Sequence, residues 1–242
     1  MYLAIDIGNT RHKAALFSPE GEIVQLIDRK CITSKEIDLF ASQFPIRAAI
    51  VSSVSDPSSM ERLTDTLRQK TQVVAFTHKT KLPIQIDYKT PETLGLDRIA
   101  AAVAAHSQFP DHHVMVIQAG TCIVTDFVTK EGHYLGGSIS PGLQMRFDAL
   151  HHFTQRLPQV SITHPTKFIG DSTESSIIAG VMLGVEDEIN GMIHRYAQEF
   201  GEFKTVLTGG NKKDLELSIK NTIFAAHNFV LHGLYNILKI NV

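Results

Sequence analysis

Three short segments carry residue types that could hold a phosphate. "DIGNT" at 6–10 sets a carboxylate, Asp6, near the end of an apolar run and follows it with a glycine-containing turn. In such a turn Gly8 allows close approach of the backbone N–H groups to a ligand, and Asn9 and Thr10 add side-chain hydrogen bonds. Asp6 can hold Mg²⁺ directly or through water, and Lys13 can reach a phosphate oxygen. The same residues also suit a plain hairpin, because Gly8-Asn9 is a common turn dipeptide. "QAGT" at 118–121 has the same form, with the amide Gln118 where the first copy has Asp6, and "TGG" at 208–210 follows a further apolar run. Two Gly-Thr hairpins and a Gly-Gly loop after a strand suit opposite walls of a nucleotide cleft.

A second chemistry sits in "GLDR" at 95–98. A carboxylate in the first turn of a helix is favoured by the helix dipole, so Asp97 can be a helix-start acid and Arg98 a solvated surface charge. The functional alternative has Asp97 accept or orient a hydroxyl proton, while Arg98 and the free amides of the helix start hold a polar or anionic substrate. The twelve histidines include the pairs His112–His113 and His151–His152. Adjacent side chains point apart, and no HExxH spacing occurs, which argues against a histidine metal site. The sequence has no GxSxG elbow, no GxxxxGK[ST] loop and no GxGxxG, which removes the serine hydrolase, P-loop and dinucleotide-binding classes.

The elements that must position these groups repeat. Strands are expected at 2–7, 11–17 and 22–27, with turns at "GNT" and "SPEG", and again at 114–118, 122–128 and 133–138, with turns at "AGT" and "TKEG". Thr10 to Gly21 and Thr121 to Gly132 are separated by the same eleven positions, which points to an internal duplication. Helices are expected at 35–42 and 58–70 after the first meander, and at 143–151 and 173–200 after the second. In the last of these, an apolar stripe from Ile177 to Tyr196 reads as core or subunit interface. An alanine-rich helix from Asp97 to about Ser107 lies between the halves. A buried strand at "KTVLTGG", a short helix after Asn211 and an amphipathic helix from about Thr222 to Leu238 complete the chain.

Composition narrows the class. The chain has 242 residues, 43% hydrophobic and 20% charged, with a formal net charge of −2, the profile of a globular protein with no bulk attraction to nucleic acid or anionic lipid. No apolar run approaches a membrane span, and Asp6 interrupts the first apolar segment where a secretory leader would be uniform, so a cytoplasmic address is expected. The two cysteines, Cys31 and Cys122, lie far apart and read as ordinary thiols of a reducing compartment.

Taken together, the motifs resemble those of the type III pantothenate kinases, members of the actin-like acetate and sugar kinase superfamily. The resemblance runs through "DIGNT" at 6–10, "SSVS" at 52–55, "YKTPETLGLDRIAAAVAA" at 88–105, "QAGTCIVTD" at 118–126, "GGSISPGL" at 136–143, "STESSIIAGVMLG" at 172–184 and "TGG" at 208–210. It implies an α/β protein of two duplicated actin-like (ribonuclease H-like) halves, 1–110 and 111–242, with mixed five-stranded sheets flanked by helices, assembled as a homodimer. It implies ATP-dependent phosphorylation of pantothenate, the first step toward coenzyme A. In that reading Asp6, Ile7, Gly8, Asn9, Thr10, Arg11, His12 and Lys13 line the ATP phosphates, with Asp6 near Mg²⁺, and Thr121 also binds ATP. Tyr88, Gly95, Leu96, Asp97 and Arg98 contact pantothenate, Thr173 completes the pantothenate pocket of the neighbouring subunit, and Asp97 is the proton acceptor.

The departure from the family pattern is Gln118, where the family has an aspartate that binds a monovalent cation, K⁺ or NH₄⁺. A glutamine oxygen can ligate potassium but brings no charge, so weak or absent potassium dependence is expected. A non-catalytic ligand-binding or regulatory protein of the same fold is the competing reading, which Gln118 favours and Asp6, Asp97, Arg98 and Thr121 oppose.

Overall fold

The computed structural model describes residues 1–8, 10–53, 57–215, 223–225 and 227–242. Asn9 and part of the "SSVS" segment, both singled out in the sequence, lie outside the described residues. The chain divides into two compact units, one of residues 1–110, 128–135 and 228–242 and the other of residues 111–127 and 136–227.

In the first unit, β1 (Tyr2–Ile7), β2 (His12–Phe17) and β3 (Ile23–Arg29) form the expected meander. It is followed by α1 (Ser34–Ser42), β4 (Ala48–Ser53), α2 (Pro57–Arg68) and β5 (Gln72–Ala75). The sheet order is β3-β2-β1-β4-β5, with β1 antiparallel to β2 and parallel to β4. Thr33 caps α1 through a capping box with Glu36, which fixes where that helix begins.

Strand alternation sorts the sheet into two faces. Leu3, Ile5 and Ile7 join Ala49, Val51, Ile37, Phe40, Leu63 and Leu67 in one core. Tyr2 and Ala4 join Ala15, Phe17, Ala48 and Ile50 in the other, where they meet residues of α3 (Leu96–Gln108) and α6 (Phe229–Lys239). Asp6, Lys13 and Ser52 are register partners and continue this second row beyond its last apolar residues. The α3–α6 contact depends on Gly233, where a Cβ would overlap the Ala100 carbonyl.

The second sheet has the order β11-β10-β7-β8-β9-β6, from β6 (Gln85–Ile86), β7 (Val114–Ala119), β8 (Cys122–Val128), β9 (His133–Pro141), β10 (Lys204–Thr208) and β11 (Ile223–Ala225). It carries one strand more than the five expected, because two residues of β6 pair with the start of β9, Gln85 with His133 and Ile86 with Tyr134. In the second unit, α4 (Leu143–His152) and α5 (Thr173–Phe200) pack on the face formed by Met115, Ile117 and Leu207. The α5 stripe is core: Ile177, Val181, Met182, Val185, Ile189 and Ile193 are buried. The helix expected from about Thr222 instead begins at Phe229. Ile223–Ala225 extends the sheet beside β10, and Asn228, at φ 53°, turns the chain into α6 in the left-handed conformation that asparagine tolerates.

β1 and β7 match residue for residue in one respect. Each has six residues, of which only the fifth, Asp6 in one and Gln118 in the other, is partly exposed. Among the described residues, no helix is long and apolar enough to cross a membrane.

Candidate functional site

The first unit gathers the carboxylates. Asp6 lies one residue before the end of β1, with Ile7 buried behind it and Gly8 opening the turn by donating its N–H to the Arg11 carbonyl at 3.1 Å. A Cβ at position 8 would lie 2.9 Å from that carbonyl oxygen, so glycine keeps this turn tight. The Oδ1 of Asp6 is enclosed and has no hydrogen-bond partner among the described residues. Burial first, and then the charge of Asp97, push its carboxyl up to about 7, against the opposing pull of Lys13. A buried carboxylate whose ionisation a second acid opposes and a lysine favours makes a place for a cation.

The rest of the "DIGNT" turn and β2 is anchored to β3 and its exit. Arg11 donates through Nε to Asp28 Oδ1 at 2.5 Å and through Nη2 to the Asp28 carbonyl at 3.2 Å. Lys13 Nζ lies 3.9 Å from Asp28 Oδ2, and His12 Nδ1 accepts from the Ile32 N–H at 3.2 Å. Thr10 is exposed at the turn.

Asp97 and its neighbours are built by the start of α3. Gly95 is the N-cap and offers no side-chain cap; its carbonyl accepts from the N–H groups of Arg98 and Ile99. A Cβ on Gly95 would come within 2.5 Å of Asp97 Oδ1, so glycine leaves that carboxylate room beside the first-turn amides. Leu96 is partly buried against the core in which α3 and α6 meet the first sheet. The Arg98 side chain is buried, contrary to a solvated surface charge, with its Cζ 6.0 Å from the centre of the Tyr88 ring. Tyr88 in turn lies 6.2 Å from Tyr134, centre to centre. Tyr88, Gly95, Leu96, Asp97 and Arg98 are therefore brought together.

The second unit holds the other turn. Gln118 is the register partner of Thr208 on the parallel strand β10, and its Nε2 is enclosed without a hydrogen-bond partner among the described residues. Gly120 donates to the Cys122 carbonyl at 3.0 Å, closing a turn like that at Gly8, and Thr121 is exposed at its tip. Gly142, at the start of α4, donates to the Thr121 carbonyl at 3.0 Å, and a Cβ there would overlap the carbonyls of Gly120 and Thr121. Gly209, at φ 103°, backs onto the Ala119 carbonyl in the same way. Only glycine meets both demands at that position.

Thr173 stands elsewhere in this unit. It is the first residue of α5, after the Ser172 cap, and lines a cavity of about 970 Å³ with Arg146, Leu150, Phe153, Leu157 and Ile177. Arg146 is held by Glu188 at 2.6 Å and by Ser140 at 3.2 Å, a network that the sequence reading missed because its members are scattered over three elements. Ser52, which the sequence presents only within "SSVS" and without a role, is buried at the next-to-last position of β4.

A sheet of order 3-2-1-4-5 whose first hairpin ends in an acidic glycine turn, and a second sheet that repeats the hairpin, define the actin-like class of phosphotransferase folds. A ROK family glucokinase from Streptomyces griseus, solved with glucose and AMPPNP, has this fold at a TM-score of 0.55 and 12% identity, over 99% of each chain. A protein from Campylobacter jejuni assigned to a Baf family of transcriptional activators has it at 0.62 and 22% identity, over 99% of this chain and 98% of its own. The family model for type III pantothenate kinase matches residues 2–195, and the chain belongs to that family. A type III pantothenate kinase of Flavobacterium johnsoniae is 41% identical over 97% of this chain and 96% of its own length.

Proposed function

We infer that this chain performs its family's reaction, ATP-dependent phosphorylation of pantothenate to 4'-phosphopantothenate on the way to coenzyme A, with Asp97 as the proton acceptor. The observation that carries the assignment is the Asp97 carboxylate at a glycine-capped helix start, electrostatically coupled to Asp6. Phosphoryl transfer has a loose transition state in most analyses, so positioning and charge neutralisation do most of the work. Asp97 orients the substrate hydroxyl and takes its proton, and Tyr88, Gly95, Leu96 and Arg98 hold pantothenate around it. Asp6, Ile7, Gly8, Asn9, Thr10, Arg11, His12 and Lys13, with Thr121, hold the ATP phosphates. Asp6, whose enclosed Oδ1 suits a divalent cation, is the residue for Mg²⁺, which neutralises phosphate charge when bound.

The test is ATP consumption with and without pantothenate in potassium buffer. Turnover that needs pantothenate is expected; ATP use indifferent to it would overturn the reading. No turnover under any condition would favour the non-catalytic alternative.

Gln118 supports a weakened requirement for the monovalent cation. Its amide carries no charge, and its enclosed Nε2 puts a donor where the family has a carboxylate. The halves 1–110 and 111–242 are read as products of one duplication, supported by the matching strands β1 and β7. A homodimer is supported by the apolar cavity beside Thr173 and by the exposure of Phe153, Phe168 and Ile169 in the same unit. A chain that sediments as a monomer would exclude it. The unpaired thiols and the use of ATP support a cytoplasmic setting.

A further inference from the structure

Ser52, next to last in β4, is fully buried at 0% exposure, and its Oγ has no hydrogen-bond partner among the described residues. Alanine would fill almost the same space, so packing does not account for the hydroxyl, and an enclosed polar atom without a partner is costly to the fold. Its register partner on the parallel strand β1 is Asp6, whose Oδ1 is likewise enclosed and unpartnered. Two polar atoms on adjacent strands, on one face of the sheet, thus lack partners together.

The second unit repeats the arrangement independently. Gln118 on β7 has Thr208 as its parallel partner on β10, and that hydroxyl-bearing residue is also buried. A carboxylate or amide beside a hydroxyl is therefore a feature of the duplicated motif. A hydroxyl both donates to a carboxylate and accepts from a water, which equips it to orient an acidic ligand and the water shell of the ion it binds.

We propose that Ser52 is a further positioning residue of this site, its hydroxyl acting with Asp6 to hold the hydrated divalent cation that accompanies the nucleotide. This rests on the assignment of Asp6 to the cation. Lys13 from β2 and Asp97 from α3 are the charged groups that act on the same carboxylate.

Calorimetry with ADP, in saturating Mn²⁺ and in EDTA, measures how much the metal adds to nucleotide affinity. Ser52→Ala and Ser52→Cys should leave metal-free ADP affinity unchanged and shrink the Mn²⁺-dependent gain roughly tenfold, the low end for losing a group that orients a metal ligand. Asp6→Asn should abolish the gain. If it does, while both Ser52 variants keep the full gain, the role of Ser52 is overturned alone. If Asp6→Asn keeps the gain, the assignment of Asp6 falls and this inference with it. Equal loss of ADP affinity with and without Mn²⁺ in the Ser52 variants would make the residue merely structural and overturn the proposal.

Discussion

Asp97, from the first turn of α3, makes the Asp6 carboxyl on β1 harder to ionise. The two acids come from segments some ninety positions apart in the sequence, and Asp97 acts on Asp6 only because α3, with α6, packs on the side of the first sheet that carries Asp6. Their repulsion is relieved by protons or by a cation, and each choice has a measurable signature.

Without ligand, the proton is the available choice. The folded Asp6 carboxyl titrates near 7 against an ordinary 3.8, so the folded state binds more protons than the unfolded state between those values. Stability of the ligand-free protein should therefore fall as pH rises from about 4 to about 7, by up to roughly 4 kcal/mol. Urea denaturation across that range should show the slope in the parent and a flatter line in Asp6→Asn. Asp97→Asn should leave a smaller slope, because burial remains after the neighbouring charge is gone.

Asp97→Asn should lower turnover by roughly 10²–10⁴, the usual effect of removing a general base. The asparagine keeps the size and much of the hydrogen bonding of the side chain, so pantothenate binding, measured by calorimetry, should change far less than the rate. A variant turning over at the parent rate would remove Asp97 from the chemistry.

Potassium dependence tests Gln118. Activity in Tris or sodium buffer should match that in potassium to within a small factor, and Gln118→Asp should introduce a dependence on the ion. Strong activation of the parent by potassium, with tight half-saturation, would show that the amide oxygen serves as the ligand after all.

Gly233→Ala tests the seam that holds α3 in place. The added methyl would overlap the backbone of Ala100, three residues after Asp97 on the same helix. A loss of roughly 1–3 kcal/mol in urea denaturation is expected from such overpacking. Turnover of the folded fraction should drop too, because the shift falls one turn from the proposed base.

The sequence made the hairpins, the glycine turns and the start of α3 legible, because turn chemistry and helix-start chemistry are local. Asp6 and Asp97 were both visible as candidates, but the effect of Asp97 on Asp6 was not, since it arises from packing α3 and α6 on the first sheet. The solvated-charge alternative for Arg98 fails on the same packing: the side chain is buried, with its Cζ 6.0 Å from the centre of the Tyr88 ring. The false helix start near Thr222 came from reading apolar spacing without the pairing of Ile223–Ala225 with β10, which no local pattern announces. Within "SSVS" Ser52 has no role of its own in the sequence, because a serine near a strand end has no signature until its register partner is known.

Gly142 has an effect on ligand binding that reaches past its own position. By closing against the carbonyls of Gly120 and Thr121, the start of α4 braces the second turn from behind in the folded chain itself. The conformational freedom of that turn is lost when the protein folds, so under the proposed nucleotide role of Thr121 a phosphate group would find its contacts already arranged.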